Sequence, residues 1–379
     1  MKNKWIIIVL IAVCISCSKS KVKDEVYLNK IELMSRNDFN WLDKLSIDKC
    51  IVIESSKESI FAHIDKIIIK NGVIFILDRK ITKSIYKFDI EGNFVRKWTI
   101  GRGPGQFIDA EDFYVHDGAD SISVLSTIGN KLITYNVKNG EFISEKDLPI
   151  GARRFTYIDN SIVYEVNPRV GYHIIIESEG QNFNKQISFP VYNSDTIPLL
   201  YGFNNNHIVT RLFPLDTVIY EISENSSIPK YSLKLNDNSI LMGNNSILDY
   251  KNNTIEMLRH WTIDKFVILK YVLDGKSVLT IYDRNNKKSY STVFENIMDG
   301  DKLLAAFFSN IIGVANDQLI VMVEAHDIVH FKALVNLIGD ISISENMKNN
   351  INKIRKFSSE VNPQGNPILL LINLNDLDM

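Results

Sequence analysis

The residues best suited to chemistry gather just after the loop Gly101-Arg-Gly-Pro-Gly105. Asp109, Glu111 and Asp112 follow it at once. Clustered carboxylates can hold a hard cation through oxygen ligands. A metal centre of that kind also needs ligands from elsewhere in the chain, and only this stretch offers a cluster. Solvated loop acids are the simpler reading. The glycines permit tight turns and a close approach of backbone to a ligand. The loop lacks the strand-to-helix setting and the Lys of a phosphate-binding loop. Arg102 is then the side chain suited to reading an anion. Arg102, Asp109, Glu111 and Asp112 together make the expected ligand-contact face.

Two imidazoles stand four residues apart in His326-Asp-Ile-Val-His330. On a helix they would share a face and could bind zinc. A zinc hydrolase of that type needs Glu beside the first His, where Asp327 stands, and no third ligand is evident. No Gly-x-Ser-x-Gly elbow is present, and no nucleophile triad can be assembled from the order of residues. The expectation is therefore no metal, no cofactor and no catalytic residue. Cys50 lies in Cys-Ile-Val-Ile-Glu, a strand pattern, and reads as a buried structural thiol.

These residues are positioned by a repeating pattern of short strands. From Ile67 to Phe107, four apolar runs are separated by Asn71-Gly72, by the stretch after Asp78, and by Glu91-Gly-Asn93. Asn-Gly between apolar runs signals a tight hairpin, because both residues tolerate positive φ. Four strands in a meander form one blade of a β-propeller, which cannot bury both faces alone. The pattern recurs. Ile122–Leu125 and Leu132–Phe142 repeat it, with Gly140 placed 48 residues after Gly92. Propeller periods lie at roughly 40–50 residues. A weaker third copy spans Ile162–Tyr164 and His173–Gly180. Blade four draws on His207–Arg211, Thr217–Ile222 and Tyr231–Leu235, and is followed by an Asn- and Ser-rich excursion over 236–258. Blade five draws on Phe266–Val272 and Ser277–Asp283, and blade six on Ile311–Gly313, Gln318–Val323 and Ile368–Asn373. Ile51–Ile53 reads as a lone strand able to close the ring on the last blade.

An insertion precedes the final strand. Ser342-Ile-Ser-Glu345 has the form of a capping box, and Ile343, Met347, Ile351 and Ile354 share one helical face. A helix over about 342–357 follows, either packed on the propeller edge or offered to a partner or membrane. Asn362-Pro363 stops it.

The chain ends and composition set the context. Lys2 and Lys4 precede an apolar run from Trp5 to Val13, which is too short to span a bilayer stably. The run ends in Cys14-Ile-Ser-Cys17, which resembles a bacterial lipobox with Cys14 where Leu is usual. Residues 1–17 are expected to be a signal peptide, with Cys17 lipidated as the mature N-terminus. By the same resemblance, Ser18 favours the outer membrane. Residues 18–45 read as a tether with an irregular lead-in, and 46–379 as one propeller. Of 379 residues, 45% are hydrophobic and the net charge is −2, with no basic block, so a nucleic-acid footprint is not supported.

Ile74–Asp78, Lys87–Arg96, Gly101–Phe107 and the C-terminal Asn366–Asn373 resemble the six-bladed β-propeller lipoproteins of Gram-negative bacteria, which are related to NHL-repeat propellers. The resemblance implies an all-β, six-bladed propeller and brings no catalytic residues. Gln106 departs from it where NHL-type repeats often carry an acid. The expected function is an exported, lipid-anchored, non-catalytic module that binds a peptide, glycan or protein partner. The alternative is a lactonase-like or lyase-like enzyme with a divalent ion on the propeller axis.

Overall fold

A computed structural model describes residues 28–33, 45–149, 151–166, 174–178, 185–187, 209–212, 218–223, 227–235, 238–239, 255–263, 265–273, 275–294, 310–328, 345–358 and 361–374. Strands β1 (Asn29–Leu33) and β2 (Ser46–Val52) come first. Blade 1 follows as β3 (Lys66–Lys70), β4 (Val73–Asp78), β5 (Ser84–Asp89) and β6 (Phe94–Thr99). Blade 2 is β7 (Asp112–Val115), β8 (Ser121–Ser126), β9 (Lys131–Asn136) and β10 (Phe142–Asp147). Blade 3 is β11 (Ala152–Ile158), β12 (Ser161–Val166), β13 (Ile174–Ser178) and β14 (Lys185–Ile187). Blade 4 holds β15 (Val209–Leu212), β16 (Val218–Ile222), β17 (Ser227–Leu235) and the stub β18 (Asn238–Ser239). Blade 5 is β19 (Ile255–Thr262), β20 (Phe266–Leu273), β21 (Lys276–Asp283) and β22 (Lys288–Phe294). Blade 6 is β23 (Ile311–Ala315), β24 (Gln318–Val323) and β25 (Ile368–Asn373), with helix α1 (Glu345–Phe357) inserted before β25. The chain is a six-bladed β-propeller, each blade an up-and-down sheet whose first strand lies innermost.

The pleat explains the near-continuous apolar run of β4. Successive side chains of a strand point to opposite faces. Phe75 and Leu77 pack with Phe113, Val124 and Ile133 of blade 2. Ile74 and Ile76 pack the other way, with Ile51, Ile320 and Leu369 of blade 6. Each blade thus has its two faces shielded by its two neighbours. The turns behave as their residues demand. Asn71 and Gly72 both take positive φ, 50° and 72°, the geometry of a tight hairpin matched to strand twist.

The ring is closed by β2, which adds antiparallel to β25 as the outer strand of blade 6. The lone strand expected at Ile51–Ile53 is this element, five residues longer toward the N-terminus. Gly92 makes the closure possible. Its φ is 94°, and a Cβ there would sit 2.2 Å from the carbonyl oxygen of Val52.

A second N-terminal strand was not foreseen. Residues 29–33 lie in the stretch expected as irregular lead-in, yet β1 pairs in parallel with β17 and forms the outer strand of blade 4. Ile31 and Leu33 are buried against Ile219 and Tyr231 of blade 4 and Tyr271 of blade 5. The N–H of Glu32 donates to Ser289 Oγ of blade 5 at 3.0 Å. One segment therefore braces blades 4, 5 and 6 in turn.

Helix α1 packs on the propeller edge. Asn350 Oδ1 accepts the N–H of Ile47 at 2.9 Å, and Asn350 Nδ2 donates to the carbonyl of Leu45 at 2.7 Å. Ile351, Ile354 and Phe357 join the core of blades 5 and 6. The helix covers the open edge at the start of β2, where unpaired backbone groups would otherwise face solvent. Among the described residues no helix is long and apolar enough to cross a membrane.

Candidate functional site

Strand alternation gives each blade two ends. The loops that lead into an inner strand, and those between a blade's second and third strands, share one end, called here the entry face. The first and third turns of each blade share the other. The predicted contact face lies on the entry face of blades 1 and 2, between Gly101 and Asp112.

Its acids are held by the fold. Asp112 opens β7 and is buried. One carboxylate oxygen accepts from Lys66 Nζ at 2.7 Å and the other from the N–H of Phe155 at 3.0 Å. Lys66 belongs to β3 and Phe155 to β11, so Asp112 ties the inner strands of three blades together. Lys66 Nζ also reaches the carbonyl of Phe113 at 2.7 Å.

Glu111 bonds Arg79 Nη1, and Arg79 Nε lies 3.8 Å from Asp65 Oδ1. Asp65 and Glu111 occupy the same place in successive blades. Their N–H groups donate to Leu77 and Leu125, each at 2.9 Å, just before the inner strand begins. Burial raises the Glu111 carboxyl above its usual range, against the opposing pull of Arg79 and, more weakly, of Arg154.

Asp109 caps a turn. It accepts from Ser126 Oγ at 2.6 Å, Thr127 Oγ1 at 2.8 Å, and the N–H groups of Thr127 and Ile128 at 3.1 and 3.0 Å. A carboxylate so fully occupied fixes the loop between β8 and β9 rather than waiting for a ligand.

Arg102 differs. It is exposed and forms no hydrogen bond or ion pair among the described residues. It lines a pocket of about 440 Å³ between the Gly101–Gln106 loop and the start of β9. Ile108 and Ile133 give the pocket apolar walls, and Lys131 stands at its side. Lys131 is paired with Glu145 at 3.2 Å and Asp147 at 3.0 Å, so Arg102 carries the uncompensated charge. The loop is rigid. Gly101 N donates to the Phe107 carbonyl at 2.9 Å, and Gly103 N donates to Gln106 Oε1 at 2.8 Å. Tyr135 OH anchors the carbonyl of Gly105 at 2.8 Å. Gln106 thus closes its own loop, the position where the family resemblance led one to look for an acid.

Sequence reading named Arg102 as a candidate contact; the structure sets it on a pocket lining with Ser126, Lys131 and Ile133 of the next blade, which that reading did not name. It also missed Lys66, Arg79 and Asp65, the partners that absorb the acids. Aligning the entries to β3 and β7 supplies the signal: Asp65-Lys66 sits over Glu111-Asp112, with the charge reversed at the second position.

Among the described residues no group of three or more His, Cys, Asp or Glu side chains could hold a metal ion. His326 lies 3.2 Å from Asp327 and both are exposed, while His330 lies outside the described residues.

A closed ring of six blades defines a β-propeller. The chain belongs to the family described as "Domain of unknown function (DUF4934)", which matches residues 48–373. No curated protein matches the sequence. Among solved structures, a Bacteroides fragilis protein designated as exported aligns with a TM-score of 0.71 at 15% identity, over 91% of this chain and 99% of that one. The Neurospora crassa Pan2 WD40 domain aligns at 0.38 and 11% identity, over 68% and 71% of the two chains. BamB from Moraxella catarrhalis aligns at 0.38 and 9%, over 73% and 75%. The first of these likenesses bears on the fold alone.

Proposed function

We propose that the protein is an exported, lipid-anchored propeller that binds a ligand or protein partner without transforming it. The observation that carries the reading is the pocket between the Gly101–Gln106 loop and β9, where Arg102 alone is uncompensated. Its volume suits a small molecule, or a side chain and terminus of a larger partner. Its lining sets Ile108 and Ile133 beside Gln106, Ser126 and two cations, of which Lys131 is paired and Arg102 is not, so the ligand pairs an apolar body with an anionic or hydrogen-bonding group. A peptide carboxylate or an acidic sugar has that chemistry. Asp109, Glu111 and Asp112 act as scaffold for this site, not as its contacts. The lipobox-like Cys14–Cys17 supports anchoring through a lipid on Cys17, at the outer membrane by resemblance. The exported designation of the Bacteroides fragilis neighbour agrees with an envelope location.

The enzyme alternative has less support. A lactonase-like site needs ligands from several blades around the axis, whereas the acids here are tied to Lys66, Arg79 and backbone N–H groups. The test is a screen of acidic glycans and peptides against the full-length protein, repeated with Arg102→Glu. Binding that drops at least tenfold in the variant supports the reading. Binding indifferent to Arg102 refutes the pocket as the contact, and turnover of any bound compound refutes a non-catalytic role.

A further inference from the structure

The entry face of blades 1 and 2 is unusually apolar at its tips. Ile60, Ile81, Ile100, Ile108 and Ile128 are exposed by 47, 63, 42, 45 and 71%, and all five stand on loops of this one face. The opposite ends of the same two blades turn through Asn71-Gly72, Glu91-Gly-Asn93, Asp117-Gly118 and Asn139-Gly140, which are polar, while Val95, Phe142 and Ile143 are exposed on the outer strands after two of these turns. The isoleucines are also held out by design of the backbone. The N–H of Ile81 donates to Asp78 Oδ1 at 3.0 Å, and Asp78 Oδ2 takes the N–H of Ala62 at 2.9 Å, locking two loops together. The N–H of Ile128 donates to Asp109 Oδ1 at 3.0 Å, and Tyr86 OH bonds the carbonyl of Ile60 at 3.0 Å. These bonds fix the loop backbones with the isoleucine side chains outward, and an apolar patch of this kind marks an interaction surface.

The charges between them are mostly positive. Lys57, Lys80 and Lys83 are exposed and form no ion pair among the described residues. The exposed acids of the same loops are Glu54, Glu58 and Asp65, of which Asp65 lies against Arg79. Apolar tips among free lysines suit the headgroup region of an anionic bilayer.

A second observation points the same way. β1 runs parallel to β17, the third strand of its blade, so Asn29 lies at the entry face. The eleven residues from Ser18 to Leu28 join that end to Cys17. Fully extended they reach about 36–40 Å. They carry Lys19, Lys21 and Lys23.

We propose that the entry face of blades 1 and 2 lies against an anionic lipid surface, as the second membrane contact beside the N-terminal lipid. The proposal rests on the anchoring of Cys17 argued above. A basic, apolar patch adds to a lipid anchor and decides which face of the anchored protein meets the bilayer. The Arg102 pocket then opens beside that surface, and its ligand is one found there.

The test uses the full-length chain carrying an environment-sensitive fluorophore on Ile81→Cys or Ile128→Cys, with Asn71→Cys and Lys138→Cys as probes of the opposite end. Each is added to vesicles of phosphatidylethanolamine and phosphatidylglycerol. The probes at 81 and 128 are expected to shift to the blue and to be quenched several-fold more by brominated lipid than those at 71 and 138. Replacing phosphatidylglycerol by phosphatidylcholine is expected to weaken both effects. Equal quenching at the two ends, or none at 81 and 128, overturns the proposal. So does shielding of 81 and 128 that needs an added envelope protein and no lipid. Intact mass of the mature N-terminus reports the anchor separately, so a missing lipid on Cys17 is told apart from a face that stays in water.

Discussion

Lys66 of blade 1 donates to Asp112 of blade 2 across 2.7 Å, and it does so where the inner strands begin. The pair is partly buried, and Asp112 also holds the N–H of Phe155 in blade 3. It is a clamp on the ring rather than a surface ion pair.

Removing one member of a buried pair leaves the other charge uncompensated, at a cost of about 3–5 kcal/mol. Asp112→Ala is expected to lose that much in urea unfolding, because Lys66 and the Phe155 N–H both lose an acceptor. Asp112→Asn keeps an acceptor and should lose less. Arg102→Ala, with no partner to abandon, should leave stability within about 0.5 kcal/mol.

The two positive-φ glycines of blade 1 should respond differently. A Cβ at Gly72 meets nothing within 4 Å, whereas at Gly92 it meets the Val52 carbonyl at 2.2 Å. Gly72→Ala should cost about 1–2 kcal/mol from its left-handed backbone alone. Gly92→Ala should cost clearly more and loosen the closure, read as faster amide exchange in β2.

His116 supplies the pH dependence. It packs on Tyr114 and Tyr157, with ring centroids at 5.3 and 4.6 Å, and its Nε2 lies 2.8 Å from Ser123 Oγ. Burial lowers its pKa. Asp120 and Asp117 oppose the shift and Lys70 assists it. A depressed imidazole favours the unfolded chain once the unfolded ring protonates. Stability should therefore fall as pH drops below about 6.5 and level off below the folded value. His116→Gln should flatten that slope between pH 7 and pH 5 in urea titrations, and an unchanged slope would remove His116 from the account.

Cys50 should be silent to thiol reagents. Burial pushes its thiol up to about 11, against a small opposing pull from Lys353. Native protein is expected to show no reaction of Cys50 with a disulfide reagent over hours at pH 8, and full reaction in 6 M guanidinium. Rapid native labelling would place Cys50 outside the core.

The propeller was legible because its signals are local. Asn71-Gly72, Glu91-Gly-Asn93 and the alternating runs beside them fix hairpins within a few residues. β1 was not legible. Asn29-Lys-Ile-Glu-Leu33 is short, and its partner β17 lies some two hundred residues away in parallel register. The acids after the glycine loop looked like ligands for the same reason. Nothing near Asp112 in the chain announces that Lys66 and Phe155 will reach it from two other blades. Arg102 stood out as a candidate because its surroundings, the glycines, are its neighbours in the chain.

The central claim is that the Arg102 pocket holds the physiological ligand. Native mass spectrometry of the protein released gently from its own envelope tests it most directly, comparing wild type with Arg102→Glu and with Ile108→Trp, which adds bulk at the exposed wall of the pocket. The account predicts a bound species on the wild type that is lost from both variants. A species retained by both, or a wild type that carries none under conditions preserving its envelope, would contradict it.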